Sequence, residues 1–117
     1  MSSSLAAAKA ALRKSTAASL AMLPPAEVAA QSAAVLAQLV KLPAYTSARS
    51  ASVYLPQVGG KEVDTWPIVA DLLARGATVA IPRCTGPRAM EMHRLASLEQ
   101  ARALPLTKWK IPEPDAG

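Results

Sequence analysis

Two short apolar runs, each stopped by proline, enclose one helical stretch: "SASVYLP" at 50–56, "DTWPIVADLLARG" at 64–76 and "ATVAIP" at 77–82. Strand, helix and strand within about thirty residues make a βαβ unit, which requires a parallel strand pair and a right-handed crossover. Val53, Tyr54 and Leu55 suit a pleated, buried surface, and the following proline removes a ladder donor. In the helix, Asp64 or Thr65 is placed to cap the first turn, with Pro67 inside that turn. Ile68, Val69, Leu72 and Leu73 recur on one side, and Gly76 ends the helix. Between strand and helix, Gly59 and Gly60 form a loop at the carboxyl edge of the sheet, where open α/β sheets bind their ligands. Glu62 lies in that loop and is a candidate ligand contact, although loop carboxylates are often only solvated.

Elements on either side extend this α/β pattern. Leu5, Leu12 and Leu20, with Ala8 and Ala11 between, mark the apolar side of a first helix that Ser4 can cap. Lys9 and Arg13 stand four apart and share a helix face, so they can grip an anion together or simply solvate that face. Pro24 and Pro25 end this helix and open a second over residues 25 to 41, in which Val28, Val35, Leu36, Leu39 and Val40 are expected to form core scaffold. "MEMHRL" at 90–95 alternates as a third strand, with Met90, Met92 and Arg94 facing one way and Glu91, His93 and Leu95 the other. Ser97 and Gln100 have capping-box spacing for a short final helix. Two or three strands are too few to bury both faces of a parallel-rich sheet, so the expected Rossmann-like three-layer sandwich is incomplete in this chain.

Composition narrows the function classes. The 117 residues carry 13 Lys and Arg against 8 Asp and Glu, a formal charge of +5, which favours anionic partners. Aromatic residues are 3% with no Phe, too few for the stacking platforms of nucleic-acid binders, so no nucleic-acid partner is expected. Charges or prolines interrupt every apolar run before the roughly 18 residues that a membrane span needs, so no membrane partner is expected either. Cys84 is the single cysteine and reads as a packed spectator thiol in a reducing compartment. His93 reads as structural. The spacing of a phosphate-cradling P-loop is missing from "VGGKEVDT". The first 23 residues hold three cations and no acid, which suits a mitochondrial leader as well as a mature helix. Cytoplasmic location, with mitochondrial import as the variant, is the expectation. One feature of the tail stands out: Trp109 sits between Lys108 and Lys110, ahead of "IPEP", and a large indole contributes little unless it is buried or meets a partner.

In order along the chain, "KAALR", "AAQSAAVLAQL", "SVYLP", "EVDTWPIVADLLARGATVAIPR" and "MEMHRLASLEQARALPLTKWKIPEP" resemble the N-terminal part of the 5-formyltetrahydrofolate cyclo-ligase family, also called 5,10-methenyltetrahydrofolate synthetases. The resemblance runs from about Lys9 to Pro114 and implies that residues 1–117 are the N-terminal portion of one such domain. It implies that Lys9 and Arg13 bind ATP phosphates, that Leu55 and Glu62 contact the folate, and that Met90, Met92 and Trp109 lie near the pterin. It further implies MgATP as co-substrate, a monomer, and a 5-formyltetrahydrofolate substrate that can carry a polyglutamate tail. In the implied reaction the formyl oxygen attacks the γ-phosphoryl group and ADP leaves; N10 then closes on the activated carbon and phosphate leaves, giving 5,10-methenyltetrahydrofolate. Positioning and charge neutralisation supply most of the catalysis in such a transfer. Two departures are evident. The loop "PQVGGK" before Glu62 is longer than the family pattern, and the family's Gly-Arg-Gly-Lys-Gly-Tyr-Tyr-Asp segment is not among these residues. A truncated, inactive form is therefore the expectation, with a non-catalytic anion- or folate-binding module as the alternative.

Overall fold

The βαβ unit forms around strand β1 (Ser50–Ser52), helix α4 (Trp66–Ala74) and strand β2 (Thr78–Gly86) in a computed structural model that describes residues 2–114. Helices α1 (Ser2–Ala21), α2 (Pro25–Leu39) and α3 (Pro43–Thr46) precede it, and strand β3 (Ala89–Arg94) and helix α5 (Leu98–Arg102) follow. β1 pairs with β2 in parallel, Ser50 beside Thr78, as the crossover requires. β3 returns antiparallel to β2, with Ile81 opposite His93. The sheet is therefore mixed, in the order β1-β2-β3, and not parallel-rich as expected. A two-residue link from Gly86 to Ala89 is too short for a crossover and can only reverse the chain.

β2 also runs through Pro82, where the apolar pattern predicts a stop. Thr78 donates to Arg49 and Ala80 accepts from Val53, so even-numbered residues of β2 turn their polar groups toward β1. Pro82 shares that direction but lies beyond the end of β1, so its missing N–H leaves no ladder bond unmade. Two residues on, the Cys84 N–H finds the Glu113 carboxylate at 2.9 Å.

The helix ends follow local chemistry. α4 closes with Gly76 at φ +79°; Gly76 donates to Leu73 and Ala77 to Leu72, the paired bonds of a Schellman motif. At its start the Trp66 N–H is held by Asp64 Oδ1 at 3.0 Å. Thr65 occupies the cap position without a side-chain cap bond and instead donates its hydroxyl to the Tyr54 carbonyl. Ser97 caps α5 by accepting from the Gln100 N–H at 3.0 Å, while the Gln100 side chain reaches back to the Ala96 N–H. Ser4 is not a cap, because α1 already begins at Ser2.

Among the described residues, the core cluster is Leu55, Val69, Leu72, Val79, Ile81, Leu95 and Ala101. Val79 and Ile81 come from β2, Val69 and Leu72 from α4, Ala101 from α5, and Leu55 and Leu95 from the chain just beyond β1 and β3. Val79 and Ile81 alternate with Ala80 and Pro82, so the opposite face carries Ser50, Ser52, Met92 and Arg94, all exposed. Among the described residues the arrangement is two layers, where three were expected. α2 does not supply core: Val35 and Val40 are 38% and 46% exposed, and Ser32 is its one buried residue. It touches α4 along the stripe Val28, Ser32 and Leu36, whose spacing of four residues keeps one narrow line inward. α1 is further out. Every described side chain from Ser4 to Ala21 is exposed, and α1 meets α2 at a bend of 106°. The radius of gyration, 16.3 Å, exceeds the ~13 Å of a compact chain of this length for that reason. No single helix among the described residues is long and apolar enough to cross a membrane.

α3 is a short helix that the sequence pattern does not announce. Tyr45 anchors it: its hydroxyl donates to Asp71 Oδ2 at 2.7 Å, and the Arg75 guanidinium lies 4.8 Å from its ring centroid. Burial, then the bond to Asp71, raises the Tyr45 pKa above its usual 10.0. A raised phenol pKa means that folding favours the neutral form, so this stabilisation is complete below the unfolded value and fades as pH rises through the folded one. Tyr45→Phe is expected to cost about 1 kcal/mol at neutral pH. Urea unfolding should show that difference narrowing above about pH 10; a constant difference would separate the phenol from α4.

Candidate functional site

The loop leaving β1 is built around a tight turn. Gly60 donates to the Gln57 carbonyl at 3.0 Å, and Gly59 holds φ +73°, the backbone that the third position of a type II turn demands of glycine. The turn points Glu62 back, and its Oε1 accepts from the Gln57 N–H at 2.9 Å. Behind it, the Asp64 N–H donates to Ser32 Oγ at 2.8 Å, and Lys61 Nζ donates to the Leu23 carbonyl at 2.8 Å. These bonds seat the loop against α2 and the end of α1. The cleft between loop and α2 measures about 370 Å³ and is lined by Pro25, Val28, Gln57, Glu62, Asp64 and Trp66 among others. Its size is at the lower end for small-molecule sites. The Tyr54 hydroxyl donates to the Val63 carbonyl at 3.0 Å. Burial, then the charges of Glu62 and Asp64, pushes its pKa up and keeps it a neutral donor.

A second turn meets this loop. Lys110 donates to Thr107 at 2.8 Å and Thr107 to Ile111 at 2.9 Å, while Thr107 Oγ1 accepts from the Trp109 N–H at 3.2 Å. Leu106 bridges Pro112, so the turn closes on itself and lifts Trp109 to its tip. Gln57 Nε2 donates to the Trp109 carbonyl at 2.9 Å, and Val58 donates to the Lys110 carbonyl at 2.8 Å. The indole is 62% exposed with Lys108 Nζ 5.2 Å from its centroid. The stretch that follows is pinned to β2 through Glu113 and through Arg83 Nε, which donates to the Pro114 carbonyl at 3.0 Å.

The predicted site residues thus divide. Glu62 and the main chain of Trp109, 47 positions apart in sequence, are joined through the Gln57–Val58 pair, but only Glu62 lines the cleft; Trp109 does not. Leu55 immediately precedes the loop, but it is a core residue at 3% exposure and does not line the cleft. Met90 and Met92 stand exposed on β3, opposite Cys84 and Pro82, and do not line the cleft. Lys9 and Arg13 share an exposed face of α1 and do not line it either. Lys9 lies about three turns, roughly 18 Å along the axis, before the end of α1. Cys84 is exposed, not packed as expected, because it sits where β2 has outrun its neighbour. No group of three His, Cys, Asp or Glu side chains able to hold a metal occurs among the described residues. With the cations standing off, these residues do not by themselves assemble a MgATP site. Sequence reasoning missed Gln57 entirely; no local signal marks it, because its partner lies 52 residues away.

A model of the 5-formyltetrahydrofolate cyclo-ligase family matches residues 5–117. The chain belongs to that family. Among curated proteins, the probable 5-formyltetrahydrofolate cyclo-ligase of Schizosaccharomyces pombe is 32% identical over 85 residues. That match covers 73% of this chain and 40% of the relative, so the matched stretch accounts for well under half of the relative's length. Membership in the cyclo-ligase family accords with the α/β fold of the chain.

Proposed function

We propose that this chain binds a reduced folate where β1 ends, between the Glu62 loop and the Trp109 turn. There it forms the folate-holding part of an ATP-dependent 5-formyltetrahydrofolate cyclo-ligase site. The observation that carries this reading is the bonding of Gln57 to both Glu62 and Trp109 in a chain of this family. A carboxylate accepts strong hydrogen bonds from ring N–H donors of a pterin, and an indole offers a flat apolar wall. Met90 would add a soft side wall if the ligand extends across β2, and Leu55, buried beneath the loop, would support the site from the core. In this reading Lys9 and Arg13 would hold ATP phosphates, and Mg²⁺ brought in with the nucleotide would supply further charge neutralisation. Those cations stand off the cleft, so the chain alone is expected to bind folate without turning it over. Calorimetric titration with 5-formyltetrahydrofolate should show saturable binding, and incubation with MgATP should yield no methenyl absorbance above a protein-free control. Absence of folate binding removes the folate reading, and product formation removes the expected lack of turnover.

The free cationic face of α1 favours one further reading, a non-catalytic anion-binding module. Tripolyphosphate binding that disappears in Lys9→Ala and Arg13→Ala, with no folate affinity, would select it.

A further inference from the structure

We propose that Gln57 is a positioning residue for the folate site, acting through Trp109 and resting on the functional reading above. Its three polar groups have separate tasks. The backbone N–H holds Glu62, the carbonyl closes the glycine turn on Gly60, and the side-chain amide reaches across to the Trp109 carbonyl at 2.9 Å. Only the last depends on the residue being glutamine, so substitution at 57 separates the Trp109 contact from the Glu62 contact.

A second observation concerns the space beside Gln57. A Cβ added at Gly60 would lie 3.1 Å from the Gln57 carbonyl oxygen, 3.2 Å from its Cβ and 3.3 Å from its Oε1. Gly60 has no left-handed backbone that would demand glycine. Its missing side chain instead leaves the room in which the Gln57 amide lies. Gly60 and Gln57 therefore work as a pair, one clearing the path and the other bridging to the Trp109 turn. Without the bridge, that turn keeps its own internal bonds and the Val58 contact, so the fold survives while the Trp109 turn is tied to the Glu62 loop by one hydrogen bond instead of two.

The test uses Gln57→Ala and Gln57→Glu, the latter keeping size while removing the amide donor, together with Gly60→Ala. Each should lower affinity for 5-formyltetrahydrofolate about five- to tenfold with an unchanged melting temperature. In a Trp109→Ala background, Gln57→Ala should have no further effect on affinity, which a merely structural role would not produce. Independently of any ligand, amide exchange at Val58 and Lys110 should quicken in Gln57→Ala. Full additivity of the two substitutions, or unchanged exchange in Gln57→Ala, overturns the proposal. If the unaltered chain fails to bind folate, the functional reading falls, while the exchange rates still decide whether Gln57 clamps the turn.

Discussion

Replacing Leu72 by alanine is expected to destabilise the chain by about 3–5 kcal/mol, the range for emptying a well-packed leucine site. Leu72 is fully enclosed, in the last turns of α4, and its cluster gathers β2, Leu95 and Ala101 of α5. The seven-residue core offers few neighbours able to collapse into the space. A domain of this size has about 5–15 kcal/mol in total, so the loss is a large share of what holds the sheet to its helix. Urea denaturation followed by circular dichroism measures it directly. Val35→Ala on α2, at an exposed position, should stay within about 0.5 kcal/mol. Equal midpoints for the two variants would show that α4 is not the element that closes the core.

Removing the Glu62 side chain is expected to lower affinity for 5-formyltetrahydrofolate about 10- to 100-fold, the loss of a charged hydrogen-bonding group. Glu62 is exposed, so Glu62→Ala should leave the melting temperature nearly unchanged. Glu62→Gln separates two contributions. It retains an oxygen that can accept from the Gln57 N–H, and so preserves the loop, but it gives up the charge that strengthens bonds to ring N–H donors. An intermediate affinity for the glutamine variant is the expected order. Wild-type affinity in both variants would remove Glu62 from the site.

The candidate site was legible in sequence where chemistry is local. Gly59 at a positive φ and Glu62 at a strand's carboxyl edge follow from residue type and position, and Trp109 was conspicuous because an indole between lysines has no solvent rationale. The Gln57 bridge was not legible, since a glutamine in a loop carries no signature until its distant partner is known. Lys9 and Arg13 illustrate the converse. Their shared face follows from helical spacing, but spacing says nothing about where the helix goes, and α1 leaves the body of the chain at its bend.

The same division holds for the fold. Pro67 in the first turn of α4, the Ile68 to Leu73 stripe and Gly76 determined the helix of the βαβ unit, because backbone restriction and apolar periodicity act within a few residues. The direction of β3, the passage of β2 through Pro82 and the single covered sheet face were decided only in three dimensions. Each depends on which strand lies alongside: a short Gly86 to Ala89 link forces reversal, and the end of β1 frees the edge that proline occupies. The apolar residues of α1, and Val35 on α2, met the pattern of buried helices yet stayed exposed, since periodicity marks a face that can be buried and only packing determines whether something covers it.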